Sequence, residues 1–246
     1  MLSASMLYGS AYATSNNWKL AFSDSDIEKW QDKWFVEGAK ATVSNSESGM
    51  VFSAGPIPYE QASHAVLWTK QSFAGDIKIE YDYTRLDDRT DVTGVNILYI
   101  QATGLGTEEW PTDISRSTSQ RDVPWMKSYF LNMHSLHISY STTGPKRSHY
   151  VAARRYPAKE LNDFLHGTLI QPDYQNVDLF KQGETYHITA VKQDNRLTFT
   201  AERNGKTHSF EWDLSTFPAV TEGRIGLRHM WTRSSRYKDI KIYVKE

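Results

Sequence analysis

The segment from Ser128 to Tyr156 concentrates side chains that exchange protons or bind anions. Six of these side chains are His134, His137, Tyr140, Arg154, Arg155 and Tyr156. A single histidine in a sheet is more often a structural residue that is hydrogen-bonded to the backbone. Six such polar groups in one half-buried hairpin are costly unless they are used, because burying a polar group without a partner is unfavourable. We therefore predict that this segment lines a cleft.

These residue types suit β-elimination of a uronate-containing polysaccharide. The reaction needs a group that neutralises the carboxylate, a base for the C5 proton and an acid for the departing O4. Arg154 and Asn96 are the predicted neutralising groups, His137 is the predicted base, and Tyr140 is the predicted acid or acid/base. His137 and Tyr140 are three positions apart, which places them on opposite faces of a regular strand. Either a bulge joins them, or the pair is His134 with Tyr140 or His137 with a tyrosine of another strand.

Further aromatic and basic side chains are predicted to bind the substrate. These are His64, Trp68, Arg155, Tyr156, His229, Trp231 and Arg233. Rings of Trp and His can stack on sugars, while an arginine can bind the acid group. For Trp68 and Trp231, a place in the hydrophobic core is an equally good interpretation.

The charge of the region favours an anionic ligand. Between Arg116 and Lys159 the sequence holds eight basic residues and one acidic residue, whereas the whole chain has a formal net charge of −1. A local positive field in a nearly neutral protein indicates an anion that is bound at one place. The predicted partner is an anionic polysaccharide or oligosaccharide, and nucleic-acid binding is disfavoured by the low net charge.

Conventional glycoside hydrolysis finds less support in the sequence. A retaining glycosidase needs two carboxyl groups about 5 Å apart. Glu80 and Asp82 lie two positions apart on a predicted strand, but the position four residues after Glu80 is Thr84. The strand's other face is apolar, so Glu80 and Asp82 are predicted to lie on a solvated face.

No metal site and no cofactor are predicted. His134 and His137 are three residues apart, a spacing that does not suit a metal pair on a strand. Asp87, Asp88 and Asp91 could hold a structural calcium, although a solvated acidic turn is favoured. The sequence contains no cysteine, which excludes disulfides, thiol catalysis and cysteine-ligated metals.

The elements that position these side chains are predicted to be short strands joined by hairpin turns. Alternation with a period of two predicts strands at 18–22, 41–43, 50–54, 64–73, 76–85, 94–102, 134–141, 149–156, 186–192, 197–203, 207–212, 224–231 and 240–244. A short amphipathic helix is predicted at 27–34, long loops at 103–127 and 157–181, and one helical turn at 159–165. This pattern is typical of an all-β protein, an antiparallel β-sandwich of jelly-roll type.

On the central hairpin, Ser135, His137 and Ser139 are predicted to share one face, while Leu136 and Tyr140 lie on the other. Residues 16–246 are predicted to form one domain, because no linker or shift in composition divides them. Residues 1–15 are predicted to be a leader or signal remnant, which favours a secreted or periplasmic protein. The chain has no apolar run of about 18 residues, so no membrane span is predicted.

The order of several motifs resembles the concanavalin A-like jelly rolls, and within them the YesU-like family, a domain of unknown function. The motifs are WKLAF, HAVLW, GDIKIEYDYTRLD, GVNILYIQATG, the HISY and ARRY hairpin, and GRIGLRHMWTRSSRYKDIKIY. The similarity runs from about Trp18 to the end of the chain. It implies association with carbohydrate, because this superfamily serves lectins, glycosidases and polysaccharide lyases, and fold alone does not choose among them.

Jelly-roll polysaccharide lyases resemble the predicted site in using Arg, Gln or Asn, His and Tyr on the concave sheet. The leading hypothesis is therefore an exported polysaccharide lyase that cleaves an acidic, uronate-containing glycan. The alternatives are a non-catalytic carbohydrate-binding domain and a glycoside hydrolase of unfamiliar mechanism.

Overall fold

The computed structural model describes residues 17–25, 29–145 and 149–246. The predicted leader at 1–15 lies outside the described residues, as do Lys146 and Arg147 of the basic segment. No helix within the described ranges is long and apolar enough to cross a membrane.

The described chain is built almost entirely of strands. The strands are β1 Trp18–Asp24, β2 Trp34–Glu37, β3 Thr42–Ser46, β4 Gly49–Ser53, β5 Ala65–Ala74, β6 Ile77–Arg85, β7 Gly94–Gly104, β8 Met133–Thr143, β9 Tyr150–Tyr156, β10 Leu169–Gln175, β11 Thr185–Gln193, β12 Arg196–Arg203, β13 Lys206–Asp213, β14 Glu222–His229 and β15 Ser234–Lys245. The α-helices are α1 Trp30–Lys33 and α2 Met126–Asn132, and the 3-10 helices are Gln61–Ser63, Ile114–Arg121 and Leu161–Asp163.

The strands form two antiparallel sheets. The larger sheet has eight strands, in the order β13-β12-β11-β6-β15-β4-β3, with β1 also paired to β15. The smaller sheet has seven strands, in the order β10-β9-β8-β7-β14-β5-β2. The predicted all-β jelly-roll sandwich is confirmed by these sheets and by the solved structures that resemble the chain.

The main hydrophobic core lies between the two sheets, where alternate residues of each strand meet. On β6 the inward residues are the apolar set that the sequence predicted, Ile77, Ile79, Tyr81 and Tyr83, and all are buried. Lys78 and Glu80 lie between them and form an ion pair at 2.7 Å on the partly exposed face. The alternation is sufficient to fix this strand's orientation, because only one face of it is apolar.

A second, smaller core covers the outer face of the smaller sheet. Val66, Trp68, Ile97, Tyr99 and Tyr156 pack there under apolar residues of α2 and its surroundings, namely Ile114, Tyr129, Phe130 and Met133. A Cβ at Gly226 would overlap the Trp68 ring, so only glycine lets β14 pass over that side chain. The loop predicted at 103–127 is wrong in part, because it contains the Ile114–Arg121 helix and the start of α2. These helices are too short for a clear period.

Two strands of the structure, β2 and β10, were not predicted from the sequence. The helix predicted at 27–34 is restricted, within the described residues, to Trp30–Lys33, and the chain continues directly as edge strand β2. Strand β10 lies in the predicted loop 157–181, because Pro172 interrupts its alternating pattern. The register of β10 against β9 shifts between Ile170 and Tyr174, on either side of this proline. Both strands are at sheet edges, where pairing on one side is enough to define a strand.

Candidate functional site

The central hairpin places His137 and Tyr140 on opposite faces of the smaller sheet. Leu136, Ile138 and Tyr140 point into the main core. His137 pairs in register with Arg154 of β9, and Ser135 pairs with Tyr156. Cross-strand partners in an antiparallel pair share a face, so His137, Arg154 and Tyr156 lie together on the outer face. No bulge brings Tyr140 to His137.

A pocket opens on this outer face. Its volume is about 260 Å³, and we call it the outer pocket. It is lined by Gln61, His64, Val95, Ile97, Trp125, Met126, Lys127, Phe130, His137, Ser139, Tyr150, Arg154, Phe164, Leu165, Arg228, Met230 and Trp231. Strands β7, β8, β9 and β14 form its floor, and α2 with residues 164–165 forms a wall.

A depression of about 780 Å³ on the larger sheet has a greater volume, but it is lined mainly by exposed residues of β11, β12 and β13 and the β11–β12 turn. Its lining includes carboxylates, among them Asp194, Glu211 and Asp213. The outer pocket is the stronger candidate, because buried polar groups converge on it.

His137 forms a buried hydrogen-bonded triad in the outer pocket. Its Nδ1 lies 2.5 Å from the Tyr156 hydroxyl, and its Nε2 lies 2.6 Å from Ser139 Oγ. Burial, with help from Arg154 and Arg228, lowers the pKa of His137 well below its usual value. Burial and the neighbouring Tyr99 raise the pKa of Tyr156 well above its usual value. At neutral pH the triad therefore consists of a neutral imidazole and two protonated hydroxyls.

His64 and Arg228 form a second buried pair beside the triad. Arg228 Nη2 donates to His64 Nδ1 at 2.8 Å and to the Pro124 carbonyl at 2.7 Å. The Arg228 guanidinium lies over the Tyr129 ring, 4.5 Å from its centroid. Burial and the Arg228 charge lower the pKa of His64 to about 2, so its imidazole is neutral. Because Nδ1 accepts a hydrogen bond, the ring proton is on Nε2.

The pocket is basic, and its rim is aromatic. Lys127, Arg154 and Arg228 are among its lining residues, whereas no Asp or Glu of the described chain lines it. Trp125, at the rim, is 42% exposed, and Lys127 lies 5.5 Å from its ring centroid. Tyr59 is 65% exposed and its ring lies 5.3 Å from that of Trp231. An anion with an apolar face matches this lining.

Three of the predicted site residues lie between the sheets instead. Asn96 Nδ2 donates to Ser235 Oγ at 3.2 Å, and Tyr140 accepts at 3.2 Å from the Tyr81 hydroxyl. His229 stacks on Phe52 at 4.3 Å. Strand alternation turns all three inward, so they do not reach the outer pocket with His137 and Arg154.

Four other predicted residues are placed elsewhere. Trp68 is fully buried in the second core, stacked on Tyr99 at 5.3 Å, and is not accessible to a sugar. Arg155 points away from the pocket and donates to the Pro218 carbonyl at 2.8 Å. His134 is half-buried, and this burial, with a smaller contribution from the charge of Arg155, lowers its pKa. Arg233 is buried at one end of the sandwich.

Two carboxylates of the acidic turn, Asp87 and Asp91, form ion pairs with arginines. Arg233 Nη1 donates to Asp87 at 3.0 Å, and Arg89 Nε donates to Asp91 at 2.7 Å. Within the described ranges, no group of three or more His, Asp or Glu residues could hold a metal ion. The possible calcium at Asp87, Asp88 and Asp91 therefore has no assembled site here.

Five of the predicted site residues lie at the outer pocket. His64, His137, Arg154 and Trp231 line it, and Tyr156 lies directly behind it, hydrogen-bonded to His137. Arg228, Lys127 and Trp125 also line the pocket, but they were not among the predicted site residues. Arg228 had a detectable signal, since it alternates with Gly226 and Met230 on a predicted strand. Lys127 was counted only in the positive charge between Arg116 and Lys159, and Trp125 had no signal, because both lie at the start of a helix in the predicted loop.

Comparison with known proteins gives the chain a family and a fold. A family model described as Domain of unknown function (DUF1961) matches residues 19–242. A search of curated proteins found no match. A protein of unknown function with galectin-like fold from Bacillus subtilis superposes with a TM-score of 0.69 at 19% identity, over 93% of this chain and 100% of the other.

Two lectin-type structures also superpose. A legume lectin-like domain from Entamoeba histolytica has a TM-score of 0.59 at 7% identity, over 92% of this chain and 97% of the other. The VIP36 exoplasmic/lumenal domain, in a Ca2+/Man3GlcNAc-bound form, has a TM-score of 0.58 at 10% identity, over 92% and 91%. At such identities these similarities show the fold alone, and the relationship to YesU and to lyases stays a prediction. The chain belongs to the DUF1961 family and folds as a galectin-like and legume-lectin-like jelly roll.

Proposed function

We propose that the protein is a carbohydrate-binding protein that holds an acidic saccharide in the outer pocket. The observation that carries this proposal is the lining, which has three cations, Lys127, Arg154 and Arg228, and no carboxylate among the described residues. Sugar rings have apolar faces that stack on aromatic side chains, and Trp125 is an exposed aromatic residue at the rim. The VIP36 domain in its Man3GlcNAc-bound form supports a saccharide as the ligand class.

Binding to a panel of purified polysaccharides tests this proposal. Alginate, glucuronan, ulvan, pectin and glycosaminoglycans form the acidic arm, and a neutral β-glucan is the control. We expect calorimetric binding to at least one acidic polymer, weakened about tenfold in Arg154→Gln, since a hydrogen bond to a charged group contributes about 1.5 kcal/mol. Arg196→Gln removes an equal charge from the exposed face of the larger sheet and is expected to leave affinity unchanged. Equal binding of the neutral polymer would contradict an acidic ligand.

β-Elimination is the second candidate function, and one observation favours it. His137 is a neutral imidazole held between the Tyr156 and Ser139 hydroxyls, and it lines a pocket with Arg154. In this reaction His137 would take the C5 proton after exchanging its bond to Ser139 for the substrate. The C4–O4 bond would break as the C4=C5 bond forms, and the Tyr150 hydroxyl would protonate O4. Arg154 would neutralise the uronate carboxylate.

The absorbance of a newly formed unsaturated uronate tests elimination. The reaction is followed with the polymer that binds, at constant enzyme concentration. We expect His137→Gln and Tyr150→Phe to abolish the rise, while Tyr140→Phe, which changes only the inner face, keeps it. Tight binding with no rise in absorbance on any acidic polymer would reject elimination and leave the binding protein.

A further inference from the structure

A buried ionic cluster lies behind the outer pocket. Arg121 Nε donates to Glu37 Oε1 at 2.7 Å, and the Tyr129 hydroxyl donates to Glu37 Oε2 at 2.7 Å. Glu37 and Arg121 are 3% and 0% exposed. The Arg228 guanidinium lies 4.5 Å from the centroid of the Tyr129 ring. The two carboxylate oxygens of Glu37 are therefore bonded to Arg121 and Tyr129, and Glu37 forms no ion pair with Arg228.

Arg228 is left as a buried cation without a counter-charge. It is 1% exposed, and its Nη2 donates to two neutral groups, the His64 ring and the Pro124 carbonyl. It forms no ion pair within the described part of the chain. A buried charge of this kind is costly, and proteins keep one only where a partner or ligand compensates it.

Two buried nitrogen donors at the same place also have no partner. Arg228 Nη1 and His64 Nε2 are shielded from solvent and form no hydrogen bond to the described residues. Both side chains line the outer pocket. The Trp231 ring packs edge-on against His64, with centroids 4.6 Å apart, and fixes the imidazole orientation. One donor is charged and the other is neutral, and they belong to two side chains that line the same cavity.

We propose that Arg228 and His64 form a carboxylate anchor, in which the acid group of the ligand accepts hydrogen bonds from Arg228 Nη1 and His64 Nε2. This inference rests on the proposed function, and it assigns the uronate carboxylate to the wall formed by Trp231. The carboxylate supplies the negative charge that Arg228 lacks, and it satisfies both orphaned donors. A sulfate ester offers the same chemistry, so the test separates the two sources.

The anchor is tested with small probes on the whole protein. Sodium glucuronate, its methyl ester and sodium sulfate are titrated while the ring nitrogen signals of ¹⁵N-labelled histidines are recorded by NMR. We expect a saturable shift of the His64 signals with glucuronate and none with the methyl ester, which has the same ring but no charge. Sulfate that produces the same shift at the same concentration would overturn the carboxylate assignment.

Variants of the two anchor residues separate this inference from the proposed function. With the acidic polymer that binds wild-type protein, Arg228→Gln is expected to weaken affinity about 10-fold to 100-fold, since charged hydrogen bonds are lost. His64→Leu, which keeps Arg228, is expected to weaken it about tenfold, and near-ultraviolet circular dichroism verifies its fold. The matched control, Arg196→Gln, is expected to change affinity less than twofold.

If both anchor variants bind the polymer as wild type does, while Arg154→Gln does not, the anchor is wrong and the proposed function stands. If the wild-type protein binds none of the polysaccharides but glucuronate still shifts the His64 signals, the carboxylate anchor stands and polysaccharide binding fails. An absence of both responses overturns both.

Discussion

Two buried polar clusters lie on opposite faces of the smaller sheet, and they differ in charge. The inner polar cluster, between the sheets, consists of Tyr81, Tyr83, Asn96, Tyr140, His229, Ser235 and Tyr237. Its members are neutral and bond to one another: His229 Nε2 lies 2.8 Å from the Tyr237 hydroxyl, and Ser235 Oγ lies 3.2 Å from that of Tyr83. The outer pocket instead keeps the unpaired cation Arg228. Asn96 Oδ1 and His229 Nδ1 of the inner polar cluster have no partner among the described residues, but both groups are neutral. An unpartnered neutral group costs less than a buried charge without an ion pair, and the charge is what points to a ligand.

The two clusters are separated by single steps along the same strands. On β14, Arg228 faces the pocket and His229 faces the core. On β8, Ser139 faces the pocket and Tyr140 the core. Residue type alone therefore says little about function in this sheet, because histidine and tyrosine occur on both faces. The face of the sheet on which a side chain lies decides whether it contributes to the core or to the pocket. Substitutions on each face can test this difference.

The largest expected effect is acid unfolding driven by buried histidines on both faces. Burial lowers the pKa of His64 to about 2 and that of His229 to about 3, and it lowers the pKa of His137 strongly. In the unfolded chain these three histidines bind protons as the pH falls through about 6.5, whereas in the folded chain they stay neutral. Their contribution to the free energy of unfolding is therefore complete above pH 6.5 and is lost progressively below it. Three histidines give a slope of about 4 kcal/mol per pH unit.

Denaturant unfolding at pH 7.5, 6.5, 5.5 and 4.5 measures this slope. Above pH 4.5 carboxylates contribute little, because their usual pKa values are lower. We expect His229→Gln and His64→Gln each to remove about a third of the slope. The acidic ligand is expected to reduce only the loss of stability that is due to His64 and His137, the two histidines of the outer pocket. A flat profile between pH 7.5 and 4.5 would contradict the burial of neutral histidines.

The next largest effect is expected at the centre of the inner polar cluster. Tyr237→Ala leaves a cavity and removes the hydroxyl partner of His229, so it is expected to cost about 3–5 kcal/mol in the free energy of unfolding. Tyr243→Ala, on the same strand but half-buried, is the matched control and is expected to cost less than about 1 kcal/mol. Urea unfolding compares the two, and similar costs would remove the distinction between core and surface.

A smaller effect sharpens the difference in role between the faces. Tyr140→Phe removes one hydroxyl from the inner cluster, and we expect a cost of about 1 kcal/mol in stability. Polymer affinity is expected to stay within twofold of wild type, because Tyr140 does not border the outer pocket. A calorimetric loss of tenfold or more would show that the inner cluster supports binding after all.

The smallest effect is expected from salt. Raising NaCl from 0.05 M to 0.5 M is expected to weaken binding of the acidic polymer by less than about tenfold, because the buried Arg228 charge is screened little. Calorimetry at both concentrations measures this. A loss of a hundredfold would mean that exposed cations, and not the pocket, carry the affinity.

The sequence by itself determined the fold class and most of the strands. Alternation with a period of two is local, and a strand with one apolar face can turn only that face to the core. This is why β6 and the central hairpin were oriented correctly, with His137 and Ser139 opposite Tyr140. The same alternation predicted that His137 and Tyr140 lie on opposite faces of a regular strand and therefore do not form an acid/base pair.

Only the tertiary structure decided which outward residues meet. His64 and Arg228 are 164 positions apart in the chain, and they touch because β5 and β14 are neighbours in the smaller sheet. The partner of His137 turned out to be Tyr156, set by the register of β8 against β9. Strand order and register depend on interactions summed over the whole sandwich, so the local alternation of residues cannot predict them. The charge left on Arg228 is visible only when its neighbours on all sides are counted, which requires the folded chain.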